Sequence, residues 1–573
     1  MNRKKLLIIG GSLVAAILLI TAIAIGIVIG LGQTPDQPDE QLTPQVPVDQ
    51  VDPATIVRSP QITGEYSYYN VKRELTKKSG LIKTLTANGH PLAYDAEKDV
   101  YYLSIADEAV GQFTGISFGA EINDDSRECY LAFEEDAFDC YSYFKPINNR
   151  GYKVRVYTDT EYEETSLVIT TMPFMTINTE KSSISKTDVN CVMTLQDGNW
   201  KTNGTLEHMT SCATIRVRGA SSSGLEKKPY RLNLKQEDYT TQNKTSLLGL
   251  RSDDDWVLDA MYNDPTRMHN RISSELWNEM AQGHYPETDT PATECRYVEV
   301  ILNGKYIGLY NLIEPVDRKQ LNLDEENGVL IKTVSWDGTY FDKYTGTPST
   351  EIAWMGFEMK QPDTNITFDD WELFYDLLEA TADYKKDKEH FVYMASKHFS
   401  AENLTDYWIF LNAFYLRDNR GKNLYWSTVD RTLDDAIYYI TPWDCDLAFG
   451  YRYGGKGPIP SYRAPYDEDH IKNFVLLERF IEEDINGARA MVCEKWDTLT
   501  GEGGLLSVDN VCARFDTYFK YLSESGAWDR ETKRWPVSMN EDPDEEFEYL
   551  REWLTGRYEE YMPEVVDAWR EEK

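Results

Sequence analysis

The chain has 573 residues, too many for one ordinary hydrophobic core, so two or three folded units are expected. Its 96 Asp and Glu against 59 Lys and Arg leave a formal charge of −37, which repels phosphate backbones and sets nucleic acid aside as a partner. With 38 Tyr and 14 Trp the composition is that of packed structure rather than disorder.

The chain opens with Asn2-Arg3-Lys4-Lys5 and continues as an apolar run from Leu6 to about Gly32, long enough to cross a bilayer as a helix. Ala22-Ile23-Ala24 resembles a signal-peptide cleavage site, yet the apolar run continues past it, and no Cys follows to carry a lipid. Residues 1–32 therefore read as an uncleaved signal-anchor whose basic flank stays in the cytoplasm. The expectation is a single-pass protein of the cell membrane, with its folded domains outside the cytoplasm.

Residues 33–61 carry Pro35, Pro38, Pro44, Pro47 and Pro53 without apolar periodicity and read as an extended spacer. Across 62–171, short alternating runs (100–105, 152–157, 166–171) are separated by turn clusters such as Asn88-Gly89. That pattern predicts a small all-β, sandwich-like accessory domain. The eight Cys include no Cys-x-x-Cys pair, so a thiolate zinc site is not expected. In an oxidising compartment Cys129–Cys140 and Cys191–Cys212 are the candidate disulfides.

Alternation in 214–218 and 230–234 predicts two strands joined by Gly219-Ala220-Ser221-Ser222-Ser223-Gly224 and then Lys227-Lys228. A Gly- and Ser-rich turn brings backbone N–H groups close to phosphate oxygens, and a lysine entering the next strand adds a fixed positive charge. A helix is expected from about Thr266 to Ala281 with Asp264 as N-cap, carrying Arg267 and Asn270 one turn apart. Arg267 could reach phosphates, brace the lysine strand or make a structural ion pair. Asp253-Asp254-Asp255 lacks the glycine of a calcium loop and reads as a solvated turn. Asn303-Gly304 is a tight hairpin turn, and Glu314 reads as a surface carboxylate more readily than a pocket residue.

Leu404, Tyr407, Trp408 and Leu411 repeat at helical spacing and lead to Asp418, with Asn423 five residues on. Runs 423–427 and 436–441 flank the polar turn 430–435 as a hairpin that empties into Pro442-Trp443-Asp444-Cys445-Asp446. Helix, Asp-x-x-x-x-Asn, hairpin, Asp is the order in which kinases present a base and two metal ligands. An Asp can accept a hydroxyl proton, and Asn and Asp oxygens suit Mg²⁺. Beyond a flexible-looking stretch, 451–457, helices are predicted over 473–483, 488–499, 508–523 and 544–561.

The blocks RVRGASSSGLEKKPYRLNL, LLGLRSDDDWVLDAMYNDPTRMHNRISSELW, YVEVILNGKYIGLYNLIEPVD, DNRGKNLYW and PWDCDLAFG together resemble the CotH family, the spore coat protein H-like atypical kinases. The resemblance spans about 172–573. It implies a diverged protein-kinase-like two-lobe α+β fold that binds ATP with Mg²⁺ or Mn²⁺ and phosphorylates protein hydroxyls. Asp418 would be the catalytic Asp, with Asn423 and Asp444, or the nearby Asp446, as metal ligands. Lys228 would bind phosphate, with Lys227 the second choice. Arg218, Gly219, Ser221, Ser222 and Arg267 would complete the nucleotide site. Two departures stand out: Ala220 and Ser221 replace the family's Gly and Asn in the loop, and His269 separates Arg267 from Asn270. The substrate is expected to be a surface or envelope protein, or the chain itself. The alternative reading is a non-catalytic surface scaffold or adhesion protein.

Overall fold

The computed structural model describes residues 66–105, 117–134, 149–198, 207–285, 288, 290–335, 339–451, 461–463, 474–539 and 542–571. The apolar run 6–32, the 33–61 spacer, Cys140 and the 452–457 stretch lie outside them. Among the described residues no helix is long and apolar enough to cross a membrane.

After a short helix, α1 (Tyr68–Glu74), the alternating region forms β1 (Thr76–Lys77), β2 (Ile82–Ala87), β3 (His90–Pro91), β4 (Ala93–Asp95), β5 (Val100–Ser104), β6 (Phe118–Ile122), β7 (Tyr130–Phe133), β8 (Tyr152–Tyr157) and β9 (Glu161–Thr170). These make one sheet in the order β4-β5-β9-β8-β7, with β1 added on β9, and a second in the order β3-β2-β6. Leu85 and Ile122 of the small sheet share one core with Leu103, Val154 and Leu167 of the large one.

Seven strands then close a barrel: β10 (Phe174–Thr179), β11 (Val189–Asp197), β12 (Glu207–Val217), β13 (Tyr230–Lys235), β14 (Asp255–Asp259), β15 (Cys295–Leu302) and β16 (Lys305–Ile313). Period-two patterning sets the faces: in β13, Tyr230, Leu232 and Leu234 are buried while Arg231, Asn233 and Lys235 are half-exposed. Asn303 and Gly304 both take left-handed φ, the geometry of a tight hairpin turn between β15 and β16. The helix α2 (His269–Met280) buries Ile272, Leu276 and Trp277.

A second sheet, in the order β18-β19-β17-β20-β21, comprises β17 (Val329–Thr333), β18 (Ala353–Trp354), β19 (Phe357–Gln361), β20 (Leu424–Thr428) and β21 (Tyr439–Pro442). Around it lie α3 (Glu372–Ala382), α4 (Lys388–His398) and α5 (Ala401–Phe414), followed by α6 (Val475–Glu482), α7 (Ala488–Thr500), α8 (Val508–Glu524), α9 (Ala527–Arg534), α10 (Pro543–Gly556) and α11 (Met562–Glu571). α5 is buried almost all round, starts on Ser400, whose side chain accepts from Asn403 N–H, and stops at Tyr415 with φ 52°.

Several local expectations are corrected. Cys191 and Cys212 are free thiols. Cys191 faces Ala213 and Cys212 faces Val192, so the two sulfurs point to opposite faces and cannot bridge. Asp253 and Asp254 are buried rather than solvated, and Arg251 pairs with Asp253 at 2.7 Å. Glu314 is also interior, accepting the Arg251 N–H at 2.6 Å, and burial pushes its carboxyl above the usual range. α2 begins at His269, after Arg267 has taken a left-handed φ of 64°, so Arg267 lies outside the helix. Asp264 nevertheless accepts the His269 N–H at 2.7 Å, close to its expected capping task.

Candidate functional site

A cavity of about 310 Å³ lies where the β12–β13 loop, the end of β14, β17 and the segments flanking β20 and β21 meet. Its polar walls include Arg218, Asp259, Asn263, Lys332, Asp418, Lys422, Asn423, Asp444 and Asp446. α5 ends on the left-handed Tyr415, and a tight turn over Asp418–Arg420 follows. Asn423 and Asp444 both take left-handed φ, 56° and 58°, a conformation that Asn and Asp tolerate better than most residues. They are locked together: Trp443 N–H donates to the Asn423 carbonyl at 2.9 Å, and Asn419 Nδ2 donates to the same carbonyl at 2.9 Å and to the Trp443 carbonyl at 2.8 Å. The hairpin is thus what brings residues 423 and 444 side by side.

The charges in this cavity are crowded. Burial raises the Asp444 carboxyl above its ordinary value, the neighbouring Asp259 adds to the rise, and Arg218 and Lys332 oppose it. Asp446 is pushed up further by burial and by Asp444 and Asp259, although Asn263 Nδ2 donates to its Oδ2 at 3.2 Å. Asp418 Oδ2 accepts from Lys422 Nζ at 3.0 Å. Asn270, on α2, bridges the set: its Nδ2 donates to Asp259 at 3.1 Å and its Oδ1 accepts the Cys445 N–H at 3.0 Å.

Such a desolvated group of carboxylates with an Asn beside it is chemically suited to a hard divalent cation, whose charge would relieve the repulsion. Among the described residues no three His, Cys, Asp or Glu side chains converge to hold a metal by themselves. One or two Asp and an Asn match the small protein share of a Mg²⁺ site completed by phosphate oxygens.

The loop residues Gly219, Ala220, Ser221 and Ser222 form another wall. Gly219 has φ +89°, and a Cβ there would fall 2.2 Å from Ser222 Oγ, so the loop's turn depends on glycine. The two lysines that follow part company. Lys228 turns its ammonium back onto the Ser223 carbonyl at 3.0 Å and does not line the cavity. Lys227 does line it, but its ammonium is fully buried 2.7 Å from Glu531 Oε1. Arg267 shares that carboxylate at 2.9 Å and is likewise sealed from the cavity. Of its expected roles, the structural ion pair is the one that describes what it touches. Gly308 (φ +117°) lets β16 approach, since a Cβ there would sit 2.5 Å from Glu531 Oε2. Glu275 pairs with Arg271 at 3.1 Å.

A family model described as CotH kinase protein matches residues 215–561, more than half of the chain. The chain belongs to the CotH kinase protein family. The CotH match begins in β12, just ahead of Arg218, and includes every cavity residue named above as well as Glu531. The two sheets of β1–β9 precede it. No curated protein matches the chain.

Asp259, Asn263, Lys332, Lys422 and Glu531 were not singled out from the sequence. Lys332 had a local signal, as the lone charge in the apolar strand Val-Leu-Ile-Lys-Thr. Glu531 had none, because its partner Lys227 is 304 residues away.

Proposed function

We propose that this CotH protein transfers the γ-phosphate of ATP to a Ser, Thr or Tyr hydroxyl of a protein. The observation that carries this reading is the gathering of Asp418, Asn423 and Asp444 in one cavity beneath the Gly219–Ser222 loop. The barrel with α2 acts as the smaller lobe and the β17–β21 sheet with α3–α11 as the larger, the whole comprising 172–573. In this reading 62–171 is an accessory β domain, and the apolar segment within 1–32 serves as the membrane anchor that leaves the folded domains outside the cytoplasm.

Backbone N–H groups of the loop and the Arg218 guanidinium receive the phosphates. Asn423 and Asp444 would hold Mg²⁺ or Mn²⁺, with Asp446 kept in place by Asn263. When bound, the cation would supply charge neutralisation at the phosphate oxygens. Asp418, oriented by Lys422, accepts the proton of the substrate hydroxyl as its oxygen bonds to the γ-phosphorus and the bond to the bridging oxygen breaks, releasing ADP. The rest is positioning and preorganised charge.

The test is transfer of labelled phosphate from ATP to the chain itself or to a generic protein substrate. Metal-dependent transfer is the expected result. A flat ATP titration with both Mg²⁺ and Mn²⁺ would favour the surface-scaffold reading instead.

A further inference from the structure

Two cations in the cavity hold, among the described residues, no carboxylate at ion-pair distance. Among the described residues the ammonium of Lys332 and the guanidinium of Arg218 make no hydrogen bond or ion pair. What they touch is aromatic: Lys332 Nζ lies 5.0 Å from the Trp443 ring centre and 5.1 Å from that of Tyr425, and the Arg218 guanidinium lies 5.6 Å from the same Trp443 ring. Ring faces attract a cation but leave its N–H donors unused. Burial and the like charge of Arg218 pull the Lys332 ammonium down to about 8, with Asp444 opposing. Asp444 offsets part of the repulsion between the two cations, and their unused donors remain open to phosphate oxygens.

Their placement indicates which anion. Lys332 sits in β17, opposite Tyr425 of β20, and the next residue, Thr333, accepts the Asn423 N–H on its carbonyl at 3.3 Å. Lys332 is therefore one peptide unit from the Asp418–Asn423 turn, whereas Arg218 opens the phosphate loop on the other wall. Because the transferred phosphate must meet the hydroxyl that Asp418 activates, a triphosphate between loop and turn would carry its terminal group toward the Lys332 side.

We infer that Lys332 is the cation that grips the terminal phosphate of ATP and so lets the site distinguish ATP from ADP, with Arg218 holding the inner phosphates. This rests on the kinase reading above. A charge-assisted contact to phosphate is worth about 10–100-fold in affinity.

The experiment measures Mg²⁺-ATP and Mg²⁺-ADP affinity for the full chain and for Lys332→Met and Lys332→Arg, with thermal melting as a check on folding. For Lys332→Met the expected result is ATP binding weakened about 10–100-fold and ADP binding within about twofold. Lys332→Arg should keep part of the preference for ATP, and this also decides the matter if the Met variant does not fold. Equal weakening of ATP and ADP, or no change in either, overturns the inference while leaving the kinase reading intact. A wild-type chain that binds neither nucleotide removes both.

Discussion

Lys227 and Lys332 border the same cavity, and in both burial brings the ammonium down to about 8, yet their surroundings are opposite. Lys227 is closed in: Glu531 on one side, the Leu309 carbonyl on another, and the Tyr310 ring 4.6 Å away. Lys332 has two aromatic rings and, among the described residues, no hydrogen-bond acceptor. A buried cation whose donors are all used is a structural joint, while one whose donors are vacant waits for a ligand. Lys227 is fully buried and Lys332 only half-buried, and the accounting of hydrogen bonds sharpens the difference.

Removing the sealed anion is the strongest way to break this contrast. Glu531→Gln leaves Lys227 and Arg267 buried with no counter-charge and should cost about 3–5 kcal/mol in urea unfolding. Lys332→Met, which removes a cation without a partner, should leave the unfolding midpoint close to that of the wild type. Little effect from Glu531→Gln would show that the triad is not the joint described.

The open side answers to chemistry rather than stability. Asp418→Asn should lower phosphate transfer by about 10²–10³ and leave metal–ATP affinity nearly unchanged, because the proton acceptor goes and the binding groups stay. Asp444→Asn should weaken nucleotide binding and transfer together. If Asp446→Asn instead abolishes binding and Asp444→Asn is tolerated, the assignment within that pair is reversed. Transfer that survives both Asp418→Asn and Asp444→Asn rules out the mechanism.

A subtler change sharpens the sealed side without touching a charge. Gly308→Ala places a methyl group against Glu531 and Trp535 and should cost about 1–3 kcal/mol by overpacking, visible as a lower melting temperature.

The smallest effect is in acid. Burial tends to raise the Glu531 carboxyl, but Lys227, Arg267 and the Leu309 N–H outweigh it and hold the group below its ordinary 4.5. One carboxylate serving two cations explains why Glu531 stays low while its lysine partner also comes down. A depressed folded value means that the contribution is fully present above pH 4.5 and is lost as pH falls through the folded value. The stability gap between wild type and Glu531→Gln should therefore narrow below about pH 4.5 in urea titrations. A constant gap would contradict that linkage.

Much of the candidate site was legible because its parts are local. The helix before Asp418, the hairpin between Asn423 and Asp444, and the small-residue loop each depend on residues close in sequence. The remainder depends on partners far apart. Glu314 looked like a surface carboxylate because its partner Arg251 lies 63 residues earlier in the chain. Arg267 falls outside its helix because its side chain is needed at Glu531, 264 residues on. For Cys191 and Cys212 a register offset of one residue decided the matter, and spacing alone does not show strand register.

The separation of Lys227 from Glu531 also orders events in time. At about 5–20 residues per second, the glutamate is made roughly 15–60 seconds after the lysine it holds. Its neighbour on α9, Arg530, meets Glu299 at 2.7 Å and Asn149 at 2.7 Å, 381 residues earlier in the chain. Adjacent residues of α9 thus fasten both the lysine after the loop and the junction with the first sheets. A chain cut before Ala527 would carry the whole Asp418–Asn423–Asp444 set and still lack the Glu531 clasp on Lys227.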